Sequence, residues 1–439
     1  MKYLPNILFF ILLSAGIGFF TFQIKKIIRY VRMGRPTDRS DRPAERWKTM
    51  ALVALGQGKM VRRPLAGIMH ILIYAGFFII NLEILEIILD GLLGTHRLFA
   101  PLLGEVYDFL IGSFEFLALG VLVACGVFLV RRYGGRVPRL VRSGDLKGWP
   151  SLDATIILFT EIVLMTLFLT MNAADSLLQE RGAEHYVRAG AFPVSSFLHS
   201  FLQGFGENTL IFLERFCWWA HIIGVLAFLN YLPYSKHFHI ILAFPNTYFS
   251  NLEPKGKLRT DENVLKEVKL MLDPSAQPEP VESGSLPSFG AKDVTDLTWK
   301  QLLDAYSCTE CGRCTSECPA HLTGKLLSPR KIIMSVRDRL EELGRLRDKH
   351  GPDYKDDKTL LGHYITPEEL WACTTCNACV EACPVNIDPL SVIIDLRRSL
   401  VMESSAAPAA LNMMFTNIEN NGAPWQFSPA DRALWTTES

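Results

Sequence analysis

The sequence predicts a mainly α-helical protein in two parts. Five helices built for lipid come first, and a smaller helical domain organised around eight cysteines follows. Three observations carry that prediction. The 439-residue chain is 49% hydrophobic, yet residues 1–240 hold nearly all the long apolar runs. Lys and Arg crowd alternate loops of that first part. And the run C-x2-C-x2-C-x3-C-P occurs twice in the second part. Formal net charge is zero, so bulk electrostatics point to no nucleic acid.

Five apolar stretches approach the roughly 20 residues that a bilayer crossing takes. They run from Leu4 to Phe22, Leu65 to Leu89, Tyr107 to Val130, Ala154 to Met171 and Leu210 to Leu232. The first follows Lys2 as a signal peptide would, but "KKIIRYVR" comes at once and no small-residue cleavage site does. It reads as an uncleaved helix. The loop from Lys25 to Arg63 holds twelve Lys or Arg, and Arg131 to Lys147 holds six; the opposite loops hold Arg97, Arg181 and Arg188. Positive loops stay inside. The N-terminus is therefore expected outside, in a multi-pass protein of the cytoplasmic (inner) membrane, with everything after Leu232 in the cytoplasm.

The fifth stretch, "FCWWAHIIGVLAFLNYLPYSKHFHI", contains His221, His237 and His239. On a continuous helix the 18 residues from His221 to His239 make five whole turns. Those two would share a face about 27 Å apart, with His237 turned away by about 160°. Pro233 marks a place for a kink. Two same-face histidines at different depths suggest axial ligands of b-type haem, one inner and one outer. His70, in "AGIMHILIYAGFFII", lies level with His239, and the two are expected to close an inner haem site. His221 is the candidate ligand of an outer one. His237 reads as interfacial, or as a substitute for His239. The competing reading of each histidine is a hydrogen bond to a neighbouring helix.

This half resembles the gamma, cytochrome b subunit of respiratory nitrate reductase and its relatives in heterodisulfide reductase. The resemblance rests on the histidine spacing and on the string Pro233, Tyr234, Ser235, Lys236, His237, Phe238, His239. It implies a five-helix dihaem protein with two histidines ten apart on the second helix. Here the first matches His70, but the second position is Ile80, which cannot bind iron. One haem is expected, or a second in which His221 finds another ligand, His199 in "SSFLHSFLQGF" being the remaining candidate. Acids also lie within the apolar stretches: Glu83, Glu86, Glu115, Glu161 and Glu214. Such residues are costly in lipid and often mark proton or quinone sites; Glu161 and Glu86 are the candidates for proton handling.

Residues 246–295, with "DPSAQPEPVESGSLPSFG", read as a linker after the membrane part (1–245). The first cysteine run is Cys308, Cys311, Cys314, Cys318, Pro319, and the second Cys373, Cys376, Cys379, Cys383, Pro384. This is the bacterial ferredoxin pattern for two [4Fe-4S] clusters, in which the fourth cysteine of each run serves the other cluster. Cluster 1 should use Cys308, Cys311, Cys314 and Cys383; cluster 2 should use Cys373, Cys376, Cys379 and Cys318. Zinc sites usually offer two pairs of ligands and fit this spacing poorly. Cys125 and Cys217, in apolar runs, read as packing residues. Arg313 and Lys325, near the clusters, read as solvated surface or as tuning and docking charges, and His321 as structural.

The 54 residues between the runs include "SPRKIIMSVRDRLEELGRLRD", with helical periodicity, and "TPEELWAC", whose Thr-x-x-Glu suits a helix cap. "DPLSVIIDLRRSLVM" also reads helical. Residues 296–403 are thus expected to form a dicluster α-helical ferredoxin domain, similar to those of succinate dehydrogenase and heterodisulfide reductase. The tail, 404–439, contains "NIENNGAPWQFSPADRALW". It resembles the segment that, in heterodisulfide-reductase-like proteins, leads to a catalytic domain with Cys-Cys-Gly motifs. No such motif occurs here, and the resemblance implies a separate Cys-Cys-Gly or flavoprotein subunit docking at the tail. Together these features imply a membrane electron-transfer subunit of a quinone-linked oxidoreductase, joining a cytoplasmic partner, two [4Fe-4S] clusters, haem b and the menaquinone or other quinone pool. The outer redox partner, in either direction of electron flow, would be an electron-transfer flavoprotein, a 2-hydroxy-acid dehydrogenase or a dithiol/disulfide couple. The alternatives are a haem-free membrane anchor for a ferredoxin module, and a cluster-based redox sensor, for which no output domain is visible.

Overall fold

The computed structural model describes residues 3–134, 137–141, 144–273, 275, 277 and 288–437. Five long helices match the five apolar stretches: α1 (Leu4–Val31), α2 (Pro64–Leu93), α3 (Glu105–Leu129), α4 (Trp149–Arg181) and α5 (Glu207–Tyr231). All five are long and apolar enough to cross a membrane. Pro64 opens α2 in its first turn, where no N–H is missed, and Gly94 and Gly182 end α2 and α4 in the left-handed conformation. The helices close a ring: α4 packs on α5, α3 on α2 and α4, and α1 between α2 and α5. Without a hydrophobic drive between helices in lipid, close approach matters most. At Gly91 an added Cβ would lie 2.7 Å from the Phe9 ring, so α1 and α2 meet there only because the residue is glycine.

The cysteine domain is built on α8 (Pro329–His350), flanked by α7 (Trp299–Tyr306) and α9 (Pro389–Arg398). Ser328 caps α8, Thr298 and Gln301 form a capping box on α7, and Asp388 caps α9. Thr366 and Glu369 form the capping box anticipated in "TPEEL". Leu302, Ile332, Val336, Leu340, Ile393 and Leu396 are fully buried and join these helices in one core. Among the described residues there is no strand beyond isolated bridges.

The two parts are bolted together. α1 runs on to place Tyr30 against Gly344 of α8, where an added Cβ would fall 2.6 Å from the ring. The Tyr30 hydroxyl donates to Asp348 at 2.6 Å. Arg46, 1% exposed, donates to the carbonyls of Asp41, Tyr248 and Ser250. The expected linker therefore begins later than residue 246. α6 (His239–Tyr248) belongs to the seam, and Asn246 Nδ2 donates to the Val385 carbonyl at 2.9 Å. A further helix follows at Glu262–Leu272, and Ala291 and Val294 are buried in the cysteine domain. Most of "DPSAQPEPVESGS" lies outside the described residues, as do Arg136 and Arg142 of the second basic loop.

Candidate functional site

Both cysteine runs fold into the same loop. Two and four residues after the first cysteine, the chain turns left-handed, at Glu310 and Gly312 in one run and at Thr375 and Asn377 in the other. Positive φ at a β-branched Thr is uncommon and marks backbone held by function. The turn aims backbone N–H groups at sulfur: Glu310 N lies 3.5 Å from Cys308 Sγ, and Thr375 N lies 3.4 Å from Cys373 Sγ.

The two loops face two hollows. The first is lined by Cys308, Cys311, Cys314 and Cys383 together with Gly312, Arg313 and Ile387. The second is lined by Cys318, Cys373, Cys376 and Cys379. Each takes three sulfurs from one run and the fourth from the other. Among the described residues, no three His, Cys, Asp or Glu side chains come close enough to hold a single ion. Four sulfurs line each hollow, three from one C-x2-C-x2-C run and one from the other run, which suits [4Fe-4S] better than a lone zinc. Burial pushes the Cys308 thiol up to about 11 and that of Cys383 to about 12, and it raises Cys314 and Cys379 as well. Iron must therefore displace protons on entering.

The hollows differ in outlook. The first faces the bundle: Arg139 Nε donates to the Cys311 carbonyl at 3.1 Å, and Arg313 donates to the Lys59 carbonyl at 3.0 Å. Arg313, 5% exposed, is thus a buried tie to the membrane part and not solvated surface. At the second, Thr374 and Cys376 are exposed.

His70 and His239 meet at the end of the bundle that adjoins the cysteine domain, with ring centres 6.3 Å apart. His239 Nδ1 is hydrogen-bonded to the Lys236 carbonyl at 3.0 Å, whereas His70 Nδ1 is buried with no partner among the described residues. The path to this pair differs from the continuous helix expected. α5 stops at Tyr231. A 3-10 turn follows at Leu232–Tyr234, Ser235 is extended, a second turn spans Lys236–Phe238, and α6 starts at His239. Pro233 lies in the first of these turns, where a kink was expected, and Asp153 of α4, 2% exposed, holds the broken segment. Its carboxylate accepts from Tyr231 and Ser235 hydroxyls, both at 2.6 Å, and from Lys236 N at 3.1 Å. The five-turn relation between His221 and His239 therefore does not hold. Nor does His237 point away, for its ring centre is 5.6 Å from that of His239.

His221 is 1% exposed. Its Nδ1 bonds the Leu164 carbonyl at 3.0 Å, and its ring neighbour is Phe168. His199 is engaged elsewhere, with Nε2 2.8 Å from Ser176 Oγ. Ser176 lies eight residues beyond Phe168 on α4, about 12 Å along the axis, so His199 is not brought to His221. Ile80 is buried. Of the acids, Glu86 accepts from Phe99 N and the Tyr107 hydroxyl, both at 2.8 Å.

An ion pair that left no mark in the sequence bolts the two sites together. Lys236 is ion-paired with Glu310, which Arg337 also holds. Glu310 sits inside the first cysteine loop and Lys236 inside the histidine turn, so a short polar bridge spans from one to the other. Two charges 74 residues apart leave no local signal.

Residues 307–387 match the family described as a 4Fe-4S dicluster domain. The chain is 30% identical over 99% of its length to the Bacillus subtilis "Probable iron-sulfur-binding oxidoreductase FadF", covering 61% of that protein. It is 29% identical over 98% of its length to the EtfAB:quinone oxidoreductase of Syntrophomonas wolfei, covering 59%. Over 27% of its length it is 36% identical to one subunit of the ferredoxin/F(420)H(2)-dependent CoB-CoM heterodisulfide reductase of Methanosarcina acetivorans, covering 60% of that subunit. The chain thus spans about three fifths of the curated relatives it matches. No solved structure matches it. By sequence and by geometry, the chain carries a 4Fe-4S dicluster domain behind five membrane-length helices, and its likeness is to iron–sulfur oxidoreductases and heterodisulfide reductase subunits.

Proposed function

We propose that the chain is the membrane electron-transfer part of a quinone-linked oxidoreductase, with two [4Fe-4S] clusters in the cysteine hollows and one b-type haem between His70 and His239. The observation that carries this reading is the seam. The first hollow and the histidine pair lie on its two sides and are tied through Lys236 and Glu310. Two metal–imidazole bonds of about 2 Å, plus half of each ring, span roughly 6 Å, which suits the 6.3 Å between ring centres. The orphaned Nδ1 of His70 supports it too, since buried polar groups in native proteins have partners. The surroundings of His221 do not offer a second imidazole, so no outer haem is proposed.

Haem and clusters, when bound, supply one-electron redox chemistry. The chain's own residues arrange it. Cys308, Cys311, Cys314 and Cys383 would hold the cluster beside the bundle. Cys373, Cys376, Cys379 and Cys318 would hold the one with an exposed edge, where a cytoplasmic partner docks. Arg313 lines the first hollow and lies within electrostatic reach of His70. The relative named EtfAB:quinone oxidoreductase supports the quinone side and favours an electron-transfer flavoprotein as partner over a dithiol/disulfide couple. The basic loops support a cytoplasmic position for the cysteine domain.

The test is an absorption spectrum of haem-replete, full-length protein before and after dithionite, followed by reoxidation with a quinone. Bands typical of reduced b haem that quinone bleaches support the proposal. Their absence favours the haem-free anchor instead.

A further inference from the structure

The end of the bundle away from the cysteine domain holds a buried polar network for which the seam offers no use. Glu83, Glu86 and Asp90 come from α2, Glu115 from α3 and Asp175 from α4, each at most 8% exposed. Arg97, in the turn after α2, sits at the centre. Its Nε donates to Asp175 at 2.6 Å, its Nη1 to the Tyr107 hydroxyl at 3.1 Å and its Nη2 to Asn172 at 3.1 Å. Tyr107 passes the contact on to Glu86 at 2.8 Å, and Asn172 to Glu115 at 3.1 Å.

Most of these acids have a structural task. Asp90 accepts from the N–H groups of Arg97 and Leu98, Glu86 from that of Phe99, and Glu115 from those of Val194 and Ser195. They hold the loops that close this end. Glu83 has none. Its Oε2 is buried and has no hydrogen-bond partner among the described residues. It lies one turn deeper than Glu86 and within electrostatic reach of Arg97, Glu86, Glu115 and Asp175. An unpaired carboxyl at this depth is costly unless something polar meets it. Thirteen residues separate it from His70 along α2, about 20 Å, so it is the end of the network nearest the middle of the bilayer.

We propose that Glu83 is the proton-exchanging group for the quinone headgroup, and that the network behind it links that site to the outer aqueous phase. This rests on the quinone-linked reading and its orientation. The balance is quinone plus two electrons plus two protons giving quinol. The electrons arrive singly from the cysteine domain. Each proton passes from the Glu83 carboxyl to a quinone oxygen, and Glu83 is reprotonated from the side of Glu86 and Tyr107. Quinol oxidation runs the same steps backwards. A neutral headgroup with two oxygens suits the site better than any charged ligand, which would have to cross apolar helices to reach it.

The test compares wild type, E83Q, E83D and E86Q as full-length protein loaded with iron and haem, using menadiol as the quinol. Menadiol-driven reduction is followed by absorption in H2O and D2O, with dithionite reduction as control. Expected are unchanged iron and haem contents in E83Q, full reduction by dithionite, and a menadiol rate at least tenfold lower, as loss of a proton-transfer group predicts. E83D should recover part of the rate, and E86Q should slow it with a larger solvent isotope effect. E83Q reacting at the wild-type rate overturns the inference alone. An E83Q chain that loses iron and haem makes Glu83 structural and also overturns it. Wild type that takes electrons from dithionite but not from menadiol overturns the quinone-linked reading and the inference with it.

Discussion

Lys236 and Glu310 are joined across the seam between bundle and cysteine domain, with only 10% and 3% of their side chains exposed. Each is placed by other contacts, Lys236 by the Pro150 carbonyl and Asp153, Glu310 by Arg337. The pair therefore sets how the histidine turn sits over the first cysteine loop.

Replacing Lys236 with Met should leave iron and haem contents unchanged and slow electron passage between them. Glu310 keeps Arg337, so the expected loss of stability is modest, about 1–3 kcal/mol. Stopped-flow absorption with a reductant that enters through the cysteine domain checks this. The cluster bands should bleach at the wild-type rate while the haem band lags. Equal rates would mean that the bridge only packs.

The partition of cysteines between hollows makes a crossed prediction. Cys383→Ser, although in the second run, should damage the cluster of the first hollow; Cys318→Ser should damage that of the second. Iron content should fall by about half in each, and electron paramagnetic resonance should show a different surviving signal in the two variants. The same surviving signal in both would refute the partition.

His70→Ala should abolish haem binding, whereas His221→Ala should retain it. The His70 ring faces the His239 ring at 6.3 Å between centres, whereas the ring beside His221 is that of Phe168. A pyridine haemochromogen assay on purified protein decides. Haem lost on changing His221 would restore the outer site.

Gly344→Val puts a side chain where Tyr30 lies 2.6 Å from the Cβ position. Overpacking of this kind costs about 1–3 kcal/mol. Thermal unfolding followed through the cluster absorption should show a lower midpoint, and the variant Tyr30→Ala,Gly344→Val should regain part of it.

Local chemistry was the legible part of this chain. The crossed lining of the two hollows follows from the spacing of each cysteine run, because three close thiols and a fourth after a turn cannot all face one way. The Thr366 cap is equally local. The pairing of His70 with His239 was legible from depth alone, and it arises although the helix that suggested it is broken. Pro233 marked the place of the break, but its extent was not legible, since Asp153, which holds Ser235 and Lys236 out of helical geometry, lies some 80 residues earlier. Arg97 looked like one loop charge among three. Only the fold shows it surrounded by acids from three helices, because that arrangement depends on how α2, α3 and α4 close.

The crossed hollows also impose an order on biogenesis. Cys308 and Cys383 line one cavity although 75 residues separate them. A ribosome therefore delivers the first run long before its fourth partner exists, with the whole of α8 emerging in between. Neither hollow can be completed one run at a time. Both hollows are thus completed late, and a chain interrupted anywhere before Cys383 would leave the membrane helices in place with the first hollow one sulfur short.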